Sequence, residues 1–185
     1  MLLLIGSSAA ATPITFTAVL NGPNEPTPSL GTGIATVTLD AVAHTFLVSA
    51  TFSGLTAGTT AAHIHCCTAA PGTGTAGVAT QVPAFTNFQA LFGMTAGSFS
   101  QTYDSTQSLL YNPSFVTAQG GIPQAETALF AGIIAGDAYF NIHSSAFPGG
   151  EIRGFLTPAV PEPATLLLLG SGLLGLALYR KRRTI

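Results

Sequence analysis

The chain has 185 residues, of which 6% are charged, against about 25% in an ordinary soluble domain. Four of its five basic residues lie in the C-terminal tail, so residues 12–159 carry six acidic side chains and one basic one, a net charge of −5. Because phosphate binding needs a basic surface, this charge balance excludes a nucleic-acid binder. A content of 47% hydrophobic residues, with twelve Phe, predicts one packed domain with extra segments at its ends.

The first eleven residues consist of leucines followed by small side chains. Ala9 and Ala11 have the spacing of a signal-peptidase site, although the basic n-region of a secretory signal is missing. We therefore predict a residual signal peptide at residues 1–11. The alternative interpretation is an apolar N-terminal strand.

Residues 12–159 predict a mainly β domain. Apolar and polar side chains alternate along residues 14–20 and 46–52, with the period of two that is typical of a half-buried strand. Further strands are predicted at residues 33–39, 61–65, 76–80, 97–103, 137–143 and 150–156. Gly, Pro and Asn clusters separate these segments, and short strands at such spacing favour an antiparallel sandwich or a flattened barrel.

One predicted strand carries two histidines and runs into two adjacent cysteines. His63 and His65 share one face of this strand, whereas Ile64 points the other way, toward the core. Since export favours oxidation, Cys66 and Cys67 are candidates for a vicinal disulfide. The alternatives are two free thiols, an intermolecular bridge, or soft ligands beside the histidines.

One helix is predicted between the strands. Pro123 suits its first turn, apolar residues recur at helical spacing from Ala125 to Ile133, and Gly136 can end it. A shorter turn is expected within residues 105–119.

The strand after this helix carries a third histidine. Phe140 and Ile142 form its apolar face, and His143 lies on the opposite face with Tyr139 and Asn141. If the two histidine strands are neighbours, three imidazoles converge in a donor set that suits copper or zinc. The alternative is structural, with imidazoles that hydrogen-bond loop carbonyls and hold one end of the fold.

The remaining polar residues carry no catalytic pattern. Glu151 and Arg153 share one strand face and predict an ordinary ion pair, the alternative being that Arg153 steers an anion toward the histidines. His44 lies in a predicted turn and is expected to be solvated. No phosphate loop, nucleotide fingerprint or Ser-His-Asp pattern occurs, so no catalytic residue is assigned.

These pieces together resemble the CHRD family, a domain found in chordin and widespread in bacteria. The resemblance rests on Phe-Ser-Gly-Leu at 52–55, Ala-His-Ile-His at 62–65, Ala-Tyr-Phe-Asn-Ile-His at 138–143 and Pro-Gly-Gly-Glu-Ile-Arg-Gly at 148–154. Order and spacing fit over residues 13–157. The family's biochemical function is poorly defined, so the resemblance implies a fold more than an activity. The Cys66-Cys67 pair departs from the family pattern, in which a glycine is expected.

A weaker similarity is to the copper side of copper–zinc superoxide dismutase. That enzyme carries His-x-His on one strand of a Greek-key fold and a lone His near its end. For this chain the similarity implies an antiparallel Greek-key β-sandwich of superoxide dismutase type, to which the predicted short helix is added as an insertion. It also needs a fourth, bridging copper histidine and a zinc loop, and no histidine lies between His65 and His143. Dismutase activity is therefore not expected.

The C-terminal segment has three parts in order. A stiff joint comes first, then the uncharged residues 164–179, which span about 24 Å as a helix, slightly less than a membrane core of about 30 Å. The joint is Val160, Pro161, Glu162 and Pro163, and the basic cluster that follows the apolar run is Arg180, Lys181, Arg182 and Arg183. A cationic cluster beside an apolar run marks the cytoplasmic side, so a transmembrane helix and a basic cytoplasmic tail at residues 180–185 are predicted rather than a buried core helix.

Residues 160–185 are similar to the PEP-CTERM sorting signal of Gram-negative bacteria. This signal is read by an exosortase, a membrane transpeptidase-like enzyme. The resemblance implies export, an inner-membrane-anchored precursor, processing near the motif, and delivery to the cell surface or an exopolysaccharide matrix.

Two hypotheses of function follow. The first is a non-catalytic binding or extracellular-matrix module, exported and sorted to the surface, whose partners are the export machinery, the exosortase and matrix polysaccharide. The second is a copper- or zinc-binding metalloprotein that uses His63, His65 and His143.

Overall fold

The computed structural model describes residues 12–159. Within this range its regular elements are β1 (Ile14–Asn21), β2 (Thr32–Asp40), β3 (Thr45–Ser53), β4 (Thr59–His65), a 3₁₀ helix (Thr86–Leu91), β5 (Gly97–Asp104), a 3₁₀ turn (Ser108–Leu110), α1 (Pro113–Gln119), α2 (Ile122–Ala135), β6 (Tyr139–Ser144), β7 (Ile152–Phe155) and β8 (Thr157–Pro158). No helix in this part of the chain is long and apolar enough to cross a membrane. The predicted signal segment 1–11, sorting motif 160–163, membrane span 164–179 and tail 180–185 lie outside the described residues.

The strands form one curled antiparallel sheet. Their hydrogen-bonded order is β4-β6-β7-β1-β2-β3-β5, and β8 adds to β1. One half of this sheet is β1, β2, β3 and β5, and the other half is β4, β6 and β7. The inward side chains of both halves are almost fully buried, for example Phe16 and Val48 in the first half and Ile64 and Phe140 in the second. The expected mainly β, antiparallel architecture is therefore confirmed. The finer similarity to superoxide dismutase stays a prediction.

Aromatic side chains from the segment that follows β4 pack into the core between the two halves of the sheet. Phe85 precedes the 3₁₀ helix, and its ring lies 5.8 Å from that of Phe99 on β5 and 6.0 Å from that of Phe140 on β6. Phe88, on the same 3₁₀ helix, stacks on Phe52 of β3 at 5.6 Å. Because each of these rings buries a large apolar area, this loop is part of the core rather than a surface connection.

Within residues 12–159 the structure has two α-helices where the sequence predicts one. The predicted helix forms as α2, with Pro123 in its first turn and Gly136 ending it in a left-handed conformation (φ 79°). The range expected to contain only a turn also folds as α1, because the Asn112 side chain accepts a hydrogen bond from Ser114 N and caps its start. The expectation of a single inserted helix was therefore wrong.

Residues 76–80, predicted as a strand, form no strand in the structure. This segment makes only isolated bridges, such as that between Val78 and His65, and Gly77 lacks the side chain that would favour an extended pairing. It runs along the end of β4, where Cys66 N donates to Gly77 O. This position brings the backbone of Ala76 beside the histidine strand.

Candidate metal centre

Strands β4 and β6 are hydrogen-bonded neighbours and bring the three predicted histidines together. In their register His63 lies opposite Asn141, His65 opposite Tyr139, and His143 opposite Ala61, two pairs along from His63. His143 is therefore diagonal to His63, and their ring centres are 4.6 Å apart. One ligand atom from each of the three rings lies within 4.8 Å of those of the other two.

Each imidazole binds a loop carbonyl through Nδ1. His63 Nδ1 lies 3.1 Å from Pro83 O, His65 Nδ1 2.8 Å from Ala76 O, and His143 Nδ1 2.8 Å from Pro148 O. A carbonyl only accepts, so Nδ1 carries the proton and Nε2 presents a lone pair. The same arrangement, with one nitrogen fixed by a carbonyl and the other free, orients most metal-binding histidines in proteins.

The three Nε2 atoms are buried and have no hydrogen-bond partner within residues 12–159. His63 and His143 are only 6% and 7% exposed. Burial, reinforced by the neighbouring histidines, lowers the pKa of His63 to about 3. Burial also lowers the pKa of His65, to about 4, and that of His143. The rings are therefore neutral at pH 7, the state in which imidazole binds a metal.

The spacing of the cluster is close to what a metal ion requires. Three nitrogens at about 2.0–2.1 Å from one ion are about 3.3–3.6 Å from each other. The widest separation here reaches 4.8 Å, so the rings must approach by about 1 Å on binding.

A stack of planar groups extends from the cluster toward the surface. The Tyr139 ring lies 4.6 Å from that of His65 at an interplanar angle of 8°, and the Arg153 guanidinium lies 4.8 Å above Tyr139. Arg153 Nε lies 3.1 Å from Glu25 Oε2. The predicted ion pair of Arg153 with Glu151 was wrong, because Glu151 lies in the bend before β7 and turns inward.

Glu151 holds three loops together instead. Its Oε1 accepts hydrogen bonds of 2.6 Å from Ser29 Oγ and from Thr56 N. Burial opposes its charged form, but hydrogen bonds from Ser144, Ser29 and Thr56 outweigh that effect and lower its pKa. This carboxylate is a structural anchor, which explains the buried acid in the Pro-Gly-Gly-Glu segment.

Cys66 and Cys67 are joined in a disulfide between adjacent residues. Both sulfurs pack against α2 at Gly132, where the space leaves no room for a Cβ. The disulfide directly follows β4, and in this bonded form neither sulfur is a thiolate that could join the histidines.

A second polar cluster, which the sequence analysis missed, lies at the β2–β3 turn. His44 is 48% exposed at its side chain, and its Nδ1 lies 2.8 Å from Glu126 Oε1 on α2. The Ser105 hydroxyl donates to the same carboxylate oxygen. A serine nucleophile needs a histidine partner and access to substrate, and the fully buried Ser105 has neither.

Comparison with known families finds a match for two segments of the chain. A CHRD domain model matches residues 16–156, and a PEP-CTERM protein-sorting motif matches residues 159–183. Neither a curated protein nor a solved structure matches the chain. The sorting motif implies export as a membrane-anchored precursor that an exosortase processes. Because the first match covers most of the chain, including the three clustered histidines, this protein belongs to the CHRD family and carries a PEP-CTERM sorting signal.

Proposed function

We propose that this protein is an exosortase-sorted surface protein whose CHRD domain binds a transition-metal ion through His63, His65 and His143. The observation that carries the proposal is the set of three buried Nε2 atoms without hydrogen-bond partners. Leaving a buried polar atom unsatisfied costs about 1–3 kcal/mol, and three such atoms facing one another would be an expensive way to hold a loop. A bound cation satisfies all three lone pairs at once.

The purely structural alternative explains the position of Nδ1 in each ring but not that of Nε2. Hydrogen bonds to Pro83 O, Ala76 O and Pro148 O fix the loops through Nδ1. A residue needed only for that contact would not have to place its second nitrogen against two other imidazoles. The carbonyl contacts instead orient the rings for a ligand.

Metal content of the full chain, purified in detergent, tests this proposal. We expect near-stoichiometric copper or zinc in the wild type and at least a hundredfold loss of affinity in the His63→Ala/His65→Ala/His143→Ala variant. His44→Ala, which removes the fourth histidine in the β2–β3 turn, is the matched control and should retain the metal. Thermal unfolding in chelator shows whether each variant is folded. A wild type without metal, or a folded triple variant that keeps it, refutes the proposal.

We also propose a non-catalytic matrix-binding role, supported by a different part of the molecule. The outward side of β1, β2, β3 and β5, called the hydroxyl face here, carries no charged side chain at its twelve central positions. These are Thr15, Thr17, Val19, Ile34, Thr36, Thr38, Leu47, Ser49, Thr51, Ser98, Ser100 and Thr102. The register aligns Thr17, Thr36, Ser49 and Ser100 in one row across the four strands.

Hydrogen bonds within the hydroxyl face hold its side chains in place. Thr36 Oγ1 lies 2.6 Å from Ser49 Oγ, and Thr15 Oγ1 lies 2.9 Å from Thr38 Oγ1. Exposed aliphatic groups at Val19 and Ile34 lie beside them. An ordered, uncharged surface that mixes hydroxyl and methyl groups suits a neutral polysaccharide, whose own surface alternates hydroxyls with apolar ring faces.

Co-sedimentation of the full chain with an insoluble neutral glucan tests this second role. We expect the wild type to bind and Thr36→Glu/Ser49→Glu to lose binding at least tenfold, because a charge must then be desolvated at the contact. Thr117→Glu, an exposed position on α1, is the matched control. Equal sedimentation of all three proteins, or of none, refutes the role of the hydroxyl face.

A further inference from the structure

A fourth buried acceptor atom lies beside the three histidines. Asn141 is opposite His63 in the β4–β6 register and opposite Arg153 in the β6–β7 register, so it lies at the centre of this face. Its Nδ2 donates to Glu25 Oε2 at 3.3 Å, and its Oδ1 is buried without a partner. A carboxylate only accepts hydrogen bonds, so Glu25 holds the amide nitrogen on its own side. The other end of the amide is then a carbonyl oxygen.

The atoms of this face that could bind a metal are therefore all electrically neutral. They are the three Nε2 atoms and Asn141 Oδ1. The group of candidate ligands in the described residues contains histidines and no Asp, Glu or Cys. Glu25 and Arg153, which lie beside Asn141, pair with each other and their charges largely cancel. A metal ion held here keeps its full formal charge inside a site whose nitrogens have no contact with water.

The cost of that burial depends on the charge of the ion. The desolvation energy of an ion entering a low-dielectric site rises with the square of its charge, so a divalent ion pays about four times as much as a monovalent ion of the same size. Zinc sites commonly reduce this charge with thiolate or carboxylate ligands, or with a bound water that the ion helps to deprotonate. A monovalent d¹⁰ ion is satisfied by neutral imidazoles without any anionic ligand.

From this neutral donor set we propose that the site selects Cu(I) over Zn(II) and Cu(II). The inference rests on the proposed metal-binding function and deepens it by naming the ion. It concerns the oxidation state that the site stabilises and requires no reaction at the metal.

Competition titrations of the full chain in detergent test the selectivity. Cu(I) is titrated anaerobically against bicinchoninate, and Zn(II) and Cu(II) are titrated against chromophoric chelators. We expect the dissociation constant for Cu(I) to be at least tenfold lower than those for Zn(II) and Cu(II). A wild type that binds Zn(II) as tightly as Cu(I) overturns the selectivity while leaving the metal site intact. A wild type that binds none of the three ions overturns the proposed function itself.

Asn141→Asp provides a second measurement at the same site. The substitution adds one negative charge in nearly the same volume, so we expect Zn(II) affinity to rise at least tenfold and Cu(I) affinity to change by less than about threefold. Asn87→Asp makes the same chemical change at an exposed position, where the amide only contacts Ser100 O, and should leave both affinities unchanged. Equal shifts for the two ions in Asn141→Asp contradict the charge argument. If that variant does not fold, the wild-type ratio alone decides.

Discussion

At the scale of single residues, each of the three clustered imidazoles has Nδ1 bound to a loop carbonyl and Nε2 without a partner among the described residues. Strand periodicity in the sequence is enough to predict that His63, His65 and His143 face the same way. It does not predict the carbonyl partners at Nδ1, because a backbone carbonyl is present at every residue and carries no sequence pattern. The structure places those carbonyls in loops that reach the site only after the chain has folded.

His44 behaves differently from the three buried histidines. It lies in the predicted turn and is exposed, but it also contacts Glu126 on α2, a pairing that joins residues far apart in sequence. The hydrogen bond to Glu126 and the charge of that carboxylate raise the pKa of His44. Its contribution to stability is therefore complete below the unfolded-state value of about 6.5 and disappears as the pH rises through the higher folded-state pKa.

We expect His44→Asn to destabilise the protein in a pH-dependent way. Asn tolerates the left-handed backbone at this position (φ 52°), so the substitution mainly removes the protonated imidazole. The difference in melting temperature between wild type and variant should be largest near pH 5.5 and should shrink toward pH 8.5. Circular dichroism in chelator measures both proteins at each pH. A difference that stays constant across this range would contradict a role for the charged pair.

At the scale of elements, β6 is the strand on which the site depends. All six of its residues are buried, because the core covers one face and the loops around the histidines cover the other. The sequence predicts this strand and its apolar face correctly. It does not predict that the polar face is also covered, since that depends on loops from distant parts of the chain, including the one that carries Glu25.

Two neighbouring glycines before β7 allow a matched test of this packing. At Gly150 (φ 132°) an added Cβ would lie 2.6 Å from Asn141 Nδ2 and 2.7 Å from Glu25 Oε1, whereas at Gly149 it would meet nothing within 4 Å. We expect Gly150→Ala to lower the free energy of unfolding by about 1–3 kcal/mol and Gly149→Ala to change it by less than about 0.5 kcal/mol. Urea denaturation measures both. Equal losses would show that the glycine is not required by this contact.

At the scale of the whole molecule, charge is distributed very unevenly. The domain has one basic residue, Arg153, which is engaged with Glu25, while the other four follow the predicted membrane span. The described domain exposes no Lys or Arg. An apolar segment followed by a basic cluster fits the sorting motif matched at residues 159–183. Along the chain the CHRD domain is thus followed by the sorting motif.

We expect the two prolines of the sorting motif to be required for processing. Their fixed φ and the restriction that proline puts on the preceding residue predict an extended joint that an enzyme can reach. In a host that contains an exosortase, Pro161→Ala/Pro163→Ala should accumulate unprocessed precursor in the membrane fraction, several-fold above wild type. Immunoblotting of cell fractions measures this, with Pro13→Ala as the control. Normal processing of the double variant would show that the motif is not recognised through its prolines.

The sequence by itself determined the β character, the histidine faces, the main helix and the two family assignments, because these depend on local periodicity or on contiguous motifs. Only the tertiary structure decided the partner of Arg153, the covering of β6 and the second helix in residues 105–119. Residues 76–80, which the sequence predicts as a strand, instead form a loop in which Ala76 O binds His65 Nδ1. These features depend on which distant segments pack together, and burial, hydrogen-bond satisfaction and charge pairing settle that only in the folded chain.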